Sequence, residues 1–342
     1  MKKYVYLLFV FCLFQTIYSN VQAQSCVGTA TFNVTINNTP TATVTPSTSA
    51  SYCTGGGVFL TTNQVSGYTY QWLLNGSPIS GATSWSYLAS SAGSYSVQVS
   101  NAGGCAVTSA TTAVANTSTN CGVVAQVRVF LQGPALGTST MTTEMRTDGL
   151  LPIAQPFNTT PWNYTGTESV PRPQDIPSNV VDWVLVELRD AANSNTVVAR
   201  RAAFVLNNGN LRDIDGTNGV RFPGAAAGSY YVVVRGRNHL AVISNATVAL
   251  PNATQLDLTS PANVLGGTQQ LALITSSLYG MKAGDANANG VITVADFNIY
   301  QTQSGINIYL NSDFTLDGNI TVLDFNNYQP NSSAIAPSQV RY

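Results

Sequence analysis

Near its end the chain carries one pattern of oxygen-bearing side chains twice. The first copy runs Asp285, Asn287, Asn289, Gly290, Thr293, Asp296, and the second runs Asp313, Thr315, Asp317, Gly318, Thr321, Asp324. The same 28 residues separate Asp285 from Asp313 and Asp296 from Asp324. Counted from the leading Asp, oxygens fall at positions 1, 3, 5, 9 and 12, with glycine at position 6. Calcium takes six to eight hard oxygen ligands, and a short loop supplies them only by wrapping the ion with ligands at alternate positions. Gly290 and Gly318 permit the sharp turn. Position 7, Val291 or Asn319, offers its backbone carbonyl. The spacing therefore predicts two Ca2+ sites, one on each loop. Loop one brings two carboxylates, Asp285 and Asp296, and loop two brings three, Asp313, Asp317 and Asp324. Ligand charge raises affinity, so the second site is expected to bind more tightly.

Each loop needs a helix behind it to hold its shape. Val294–Gln301 and Val322–Gln329 read as short helices, and Ile292 and Ile320 at position 8 should point inward and couple the loops. The pair resembles EF-hand-type loops, with Asp in place of Glu at position 12. It is more similar to the dockerin pattern, in which two loop-helix units pack with pseudo-twofold symmetry. That resemblance covers 284–330 and implies either docking to a cohesin-like partner or intramolecular docking on the preceding domain. The short helices, with Pro330 stopping the second, weigh against cohesin binding.

Upstream, the sequence reads as β-structure. Thr, Ser, Asn, Val, Ala and Gly dominate. Between residues 52 and 116, short apolar runs are separated by turn signals such as Asn75-Gly76. Trp72, twelve residues after Leu60, and Ala92-Gly93-Ser94-Tyr95 resemble an immunoglobulin-like domain, with Leu60 and Val97 where antibody domains place cysteines. Residues 122–280 carry further apolar runs, including 123–131, 180–188, 197–206 and 230–234, and read as a second β-sandwich. Val181–Arg189 alternates at period two over much of its length. A long loop spans roughly 133–179; loops of that length are usually functional or packed across a sheet. The fold class expected is mainly β: an immunoglobulin-like sandwich, a second β-sandwich, and a small C-terminal α module of two calcium loop-helix units over 281–330, then a tail over 331–342. The strings at 129–134, 161–168, 180–190 and 237–240 resemble a C-terminal module of large secreted Bacteroidetes proteins, labelled hemagglutinin-like or dockerin-containing. This implies secretion or surface display, and no reaction.

Composition bounds the function. Only 8% of residues are charged, the net charge is −1, and no basic run suits nucleic acid. Met1-Lys2-Lys3, an apolar stretch over 4–17 and Val21-Gln22-Ala23 form a secretory signal peptide cut after residue 23. No apolar run of the mature chain is long enough to span a membrane. Residues 24–51 read as one strand of a partial repeat followed by a Thr/Pro/Ser linker. Export allows disulfides among Cys26, Cys53, Cys105 and Cys121, which permit three pairings. Cys53 and Cys105 flank the first core strand and the late hairpin and are expected to pair. Their setting resembles immunoglobulin-like repeats of secreted adhesins. Cys26 and Cys121 are left to bridge each other, or Cys26 stays free.

Catalytic groups are scarce. His239 is the sole histidine and is expected to serve a structural hydrogen bond. Glu168 with Asp175 is the one carboxylate pair worth examining for glycoside chemistry. Trp162 and Tyr164 would either stack on sugar rings or cap the edge of the second sandwich. The reading that results is a non-catalytic secreted or cell-surface protein for adhesion or binding, with protein or polysaccharide as partner. Alternatives are a structural subunit of an extracellular filament, self-assembled by strand complementation, and a carbohydrate-active enzyme.

Overall fold

The computed structural model describes residues 38–119, 121–135 and 139–342. The signal peptide, Cys26 and the partial-repeat strand lie outside the described residues. The chain divides into two compact units. One comprises residues up to Ala50 with Leu60–Tyr87 and Ala92–Val114; the other comprises Ser51–Phe59, Leu88–Ser91 and Ala115–Tyr342. The protein is mainly β, with its longer helices confined to the C-terminal region.

In the first unit, strand Thr69–Leu74 pairs antiparallel with Gly93–Ser100, which also pairs with Ala106–Thr108. A second sheet joins Thr45–Pro46 to the neighbouring strand at Leu60 and Thr61. Leu60, Trp72 and Val97 are fully buried, so apolar contact fills the positions read as cysteine sites in antibody domains. The Trp72 indole donates to Ser84 O (2.8 Å), which meets the one polar need of a ring otherwise packed in the core. Gly76 follows Asn75 in the Leu74–Ser77 turn, and both have positive φ, as a tight hairpin turn demands.

The second unit is built on one antiparallel sheet. Its order is Leu211–Arg212, Val197–Leu206, Val180–Asp190, Gly228–Arg235, Val242–Ile243, with Val248–Leu250 also on Gly228–Arg235. The central strand Val180–Asp190 departs from its sequence pattern. Period-two alternation implies one solvated face, yet every residue from Val180 to Arg189 is buried. The polar positions are neutralised in place. Glu187 is ringed by Arg189, Arg200 and Arg235 at 2.5–3.1 Å, and these guanidinium groups hold its carboxyl below the usual carboxylate range despite burial. Asp182 pairs with Arg237 (2.8 Å) and accepts from the Tyr309 hydroxyl (2.7 Å).

The disulfide differs from the expected pairing. Cys53 bonds Cys121, with their Cα atoms 5.6 Å apart. Strand Ser51–Cys53 runs parallel to Ala115–Thr117, which sets Cys53 beside Thr117, four residues before Cys121. The Cys53–Cys105 and Cys26–Cys121 pairings are therefore corrected. Cys105 instead lies in the turn before Ala106–Thr108, where its N–H donates to Asn101 Oδ1 (3.0 Å).

Residues 115–342 fall in one compact unit. Phe314, Ile292, Tyr328, Ala336 and Val340 share a buried cluster with Val233, Leu240 and Ile243 of the sheet region. Among the described residues no helix is long and apolar enough to cross a membrane.

Candidate metal centre

Each loop turns into a helix at the expected place. Val294–Gln303 and Val322–Tyr328 are helical, and a 3-10 turn containing Pro330 follows the second. The start signal is local. Thr293 and Thr321 are N-caps, accepting from Ala295 N and Leu323 N (3.2 and 3.1 Å), while Asp296 and Asp324 three residues on complete capping boxes. The position-12 carboxylates thus serve the helix as well as the loop.

The backbones of the two loops repeat one another in detail. Position 4 has positive φ in both (Ala288 56°, Leu316 55°), as does position 6 (Gly290 86°, Gly318 81°). Gly290 N donates to Asp285 Oδ2 and Gly318 N to Asp313 Oδ2, both at 2.9 Å. Thr293 N donates to Asp296 Oδ2 and Thr321 N to Asp324 Oδ2, both at 2.8 Å. Asn287 N and Thr315 N, at position 3, reach Oδ1 of the same two aspartates (3.1 and 2.9 Å). Both loops wrap inward on their carboxylates, as a cation-binding loop does.

The repeat also extends past the helices and crosses between the two loop-helix units. Tyr300 donates to Thr321 O and Tyr328 to Thr293 O, each at 3.0 Å, the two tyrosines being offset by 28 residues. Gly305 N donates to Ile320 O (2.9 Å), and Ser333 N donates to Ile292 O (2.8 Å), again with positive φ at both (82° and 79°). Ile292 and Ile320 are buried, and each position-8 backbone is held by the far end of the other loop-helix unit. Sequence spacing points to Ile292 and Ile320 as the coupling residues but misses the tyrosines and the 305/333 turns. A signal for the tyrosines exists in the sequence, because Tyr300 and Tyr328 share the 28-residue offset.

The donor set fits a hard cation. Asp285 Oδ1 is buried with no hydrogen-bond partner. Burial, reinforced by the charge of Asp296, pushes the Asp285 carboxyl up to about 7. Burial likewise pushes Asp313 up to about 6, and raises Asp296 and Asp324. Carboxylates gathered and desolvated in this way are only partly compensated by the nearby charges of Arg235 and Arg237. Among the described residues no three His, Cys, Asp or Glu side chains form one cluster. Loop one has only two carboxylates, and in loop two Asp317 Oδ1 accepts from Asn319 N (2.7 Å). An ion here would draw on amide, hydroxyl and carbonyl oxygens beside the carboxylates: Asn287, Asn289 and Val291 in loop one, Thr315 and Asn319 in loop two. Thr293 and Thr321 are occupied as caps, though a hydroxyl oxygen keeps a second lone pair.

The loops are anchored by a residue that spacing did not reveal. Asn238 O accepts from Asp285 N (3.1 Å), and Asn238 Nδ2 donates to Asp313 O (2.6 Å). One side chain and its carbonyl therefore touch position 1 of both loops. Around it, His239 Nε2 lies 2.8 Å from Gln132 O and Nδ1 lies 2.7 Å from Asn238 Oδ1. Burial pushes His239 down to about 4, so it is neutral near pH 7. Gln132 Oε1 accepts from Asn331 Nδ2 (2.6 Å), and Gly133 passes so close to the Phe314 backbone that a Cβ would overlap it. The 129–134 and 237–240 strings and Asn331 thus converge at the base of the loops.

The other candidates lie elsewhere. Asp175 is held by Arg172 (2.9 Å) and Glu168 by Arg201 (3.2 Å) and the Tyr164 hydroxyl (2.6 Å). Trp162 is buried edge-on against Phe157, and Tyr164 is half-buried.

No family model matches the sequence, and no curated protein matches it. Among solved structures the chain is similar to two type II cohesin–X-dockerin complexes from Acetivibrio cellulolyticus, an N-terminal and a C-terminal interface mutant. Identity is 18% in both, over 45% of this chain and 82% of that chain, with TM-scores of 0.28 and 0.29. Similarity at that level carries no weight for function.

Proposed function

We propose that the chain is a non-catalytic, exported binding protein whose C-terminal loops take two calcium ions and thereby brace the second β unit. The observation that supports this most directly is Asn238, which ties the first residue of both loops to the turn after strand Gly228–Arg235. Asp285, Asn287, Asn289, Val291, Thr293 and Asp296 would hold one ion, and Asp313, Thr315, Asp317, Asn319, Thr321 and Asp324 the other. Bound calcium neutralises the gathered carboxylates, and its binding free energy adds to the stability of the fold. Calorimetric titration of the purified protein tests this: two ions per chain are expected, the loop-two ion bound more tightly. No binding at millimolar calcium would sink the proposal.

A docking role has its own support. Val294 and Val322, equivalent first residues of the two helices, are 68% and 64% exposed, with Leu323 beside the second at 52%. Under this reading Val294→Lys with Val322→Lys abolishes attachment to a partner at the cell surface and leaves calcium stoichiometry at two. Unchanged attachment leaves the intramolecular brace as the module's role.

A further inference from the structure

The two loops are covered by different parts of the chain. At Gly318 of loop two, a Cβ would overlap Leu150. At the matching Gly290 of loop one, it would overlap Arg341. The segment that carries Arg341 follows loop one residue by residue. Ser333 N donates to Ile292 O (2.8 Å), and Ala334 O accepts from Ile292 N (2.9 Å). Ile335 forms an antiparallel bridge with Val291. Ala336 N donates to Gly290 O (2.9 Å), and Tyr342 N donates to Asn289 O (3.3 Å). Positions 5 to 8 of loop one are thus all held by one strip of backbone. Loop two repeats only the start of this arrangement, through Gly305 N to Ile320 O and Ile320 N to Ile306 O. Beyond that point the copies diverge: Ala336 is 3% exposed, while Ile308, 28 residues earlier, is 50% exposed.

The far end of the segment rests on the sheet region. Ala336 and Val340 are buried in the cluster that holds Val233, Leu240 and Ile243. Val340 O accepts from Arg235 (2.6 Å), and the Tyr342 ring lies 4.3 Å from the same guanidinium. The segment therefore joins loop one to strand Gly228–Arg235, with a single 3-10 turn at Ser338–Val340 as its regular structure. Its acceptors, Asn289 O and Gly290 O, flank the Val291 carbonyl that position 7 offers to an ion. An ion wrapped by loop one fixes these peptides. An empty loop one keeps Asp285 and Asp296 gathered, with Asp285 Oδ1 lacking a donor, and that favours opening. Ion and segment thus stabilise the same loop conformation, and two partners that favour one conformation bind cooperatively.

We propose, on the calcium-binding reading above, that residues 335–342 are a latch coupled reciprocally to the loop-one ion. The ion holds the latch closed, and the closed latch tightens the ion. Loop two, covered from the Leu150 side, does not take part.

Hydrogen exchange by mass spectrometry on the full mature protein, in calcium and in chelator, tests one direction. Peptides covering 334–342 should exchange about tenfold more slowly in calcium, beyond any change in strand Val180–Asp190. Asp285→Asn should abolish that protection, and Asp313→Asn should leave it. Calorimetry tests the other direction. Val340→Ser should weaken the loop-one ion by about the same factor and leave the loop-two ion unchanged. Tyr342→Ala, at a half-exposed position, should act in the same sense but less. Two bound ions with equal exchange of 334–342 in calcium and chelator would overturn the latch alone. So would protection lost on Asp313→Asn, or equal weakening of both ions by Val340→Ser. No ion bound at millimolar calcium would overturn the latch together with the calcium reading.

Discussion

The two calcium-type loops have nearly the same backbone and differ in what their carboxylates meet. In loop two, Thr315 Oγ1 lies within hydrogen-bond distance of Asp313 Oδ1 (3.3 Å) and Asp324 Oδ1 (3.0 Å), and the charge of Arg237 opposes the upward shift of Asp313. In loop one, Asn287 replaces Thr315 at position 3, and Asp285 Oδ1 is left without a partner. Each position-1 carboxyl has an arginine opposing its upward shift, Arg235 for Asp285 and Arg237 for Asp313, so the loops differ chiefly in that Asp285 Oδ1 lacks a donor. Loop one is closed by the C-terminal segment. Ala336 N donates to Gly290 O (2.9 Å), and Val340 O accepts from Arg235 (2.6 Å), whose guanidinium lies over the Tyr342 ring.

The largest expected effect is loss of calcium. At a hundredfold excess of free ion over Kd, each site contributes about 2.7 kcal/mol, so chelation should lower the melting temperature by about 10 °C. The effect should depend on pH. Asp285 and Asp313 have folded values raised to about 7 and 6. Without metal, the folded state keeps protons that the unfolded state loses above about 4, so this contribution is complete below that pH and is lost as pH rises through 6 and 7. His239 acts oppositely, because its lowered value favours the fold above 6.5 and loses that contribution as pH falls toward 4. With several raised carboxyls against one histidine, the difference between calcium and chelator melts should be larger at pH 8 than at pH 5. Equal differences would mean the carboxyls are not gathered as described.

Removing the shared anchor comes next. Asn238→Ala should cost about 2–3 kcal/mol in thermal melts, because it leaves Asp313 O buried without its donor, and should weaken the loop-two site more than the loop-one site, whose contact is made by the Asn238 backbone carbonyl. Weakening of the loop-one site alone would show that the Asn238 side chain does not act through Asp313.

Substituting position 1 separates the loops. With chelator at pH 8, Asp285→Asn should raise stability by about 1–3 kcal/mol, and Asp313→Asn by less, since its carboxyl is shifted less. With calcium present, each should instead remove one bound ion. A larger gain from Asp313→Asn would reverse the contrast drawn between the loops.

The smallest effects test the crossing contacts. Tyr300→Phe and Tyr328→Phe each remove one hydroxyl donating to a cap-residue carbonyl, and each should cost about 1 kcal/mol. Unequal costs would mean that the pseudo-twofold relation is geometric without being energetic.

Much of the geometry of the candidate centre was legible because its oxygen-bearing side chains are contiguous. A loop of twelve residues fixes its own oxygen spacing, its glycine and its helix cap, so Asp285 to Asp296 and Asp313 to Asp324 could be read from the chain. Trp72, Leu60 and Val97 were legible as core for a similar reason, since strand spacing is local. The disulfide was not. Cys53 meets Cys121 through parallel pairing of two strands distant in sequence, and cysteine spacing does not encode that register. The strand around Glu187 misled because alternation reports polarity, while three arginines from two other strands and its own decided burial.

By itself, then, the sequence determined the mainly-β character, the two repeated loops, their helices and the charge on each, all of which depend on neighbours within a dozen residues. Tertiary structure alone decided that the loops pack into the second β unit, that Asn238 joins them, and that residues 335–342 close over loop one. Those facts depend on which distant segments share a volume, and hydrogen-bond satisfaction in a buried space is a property of that shared volume.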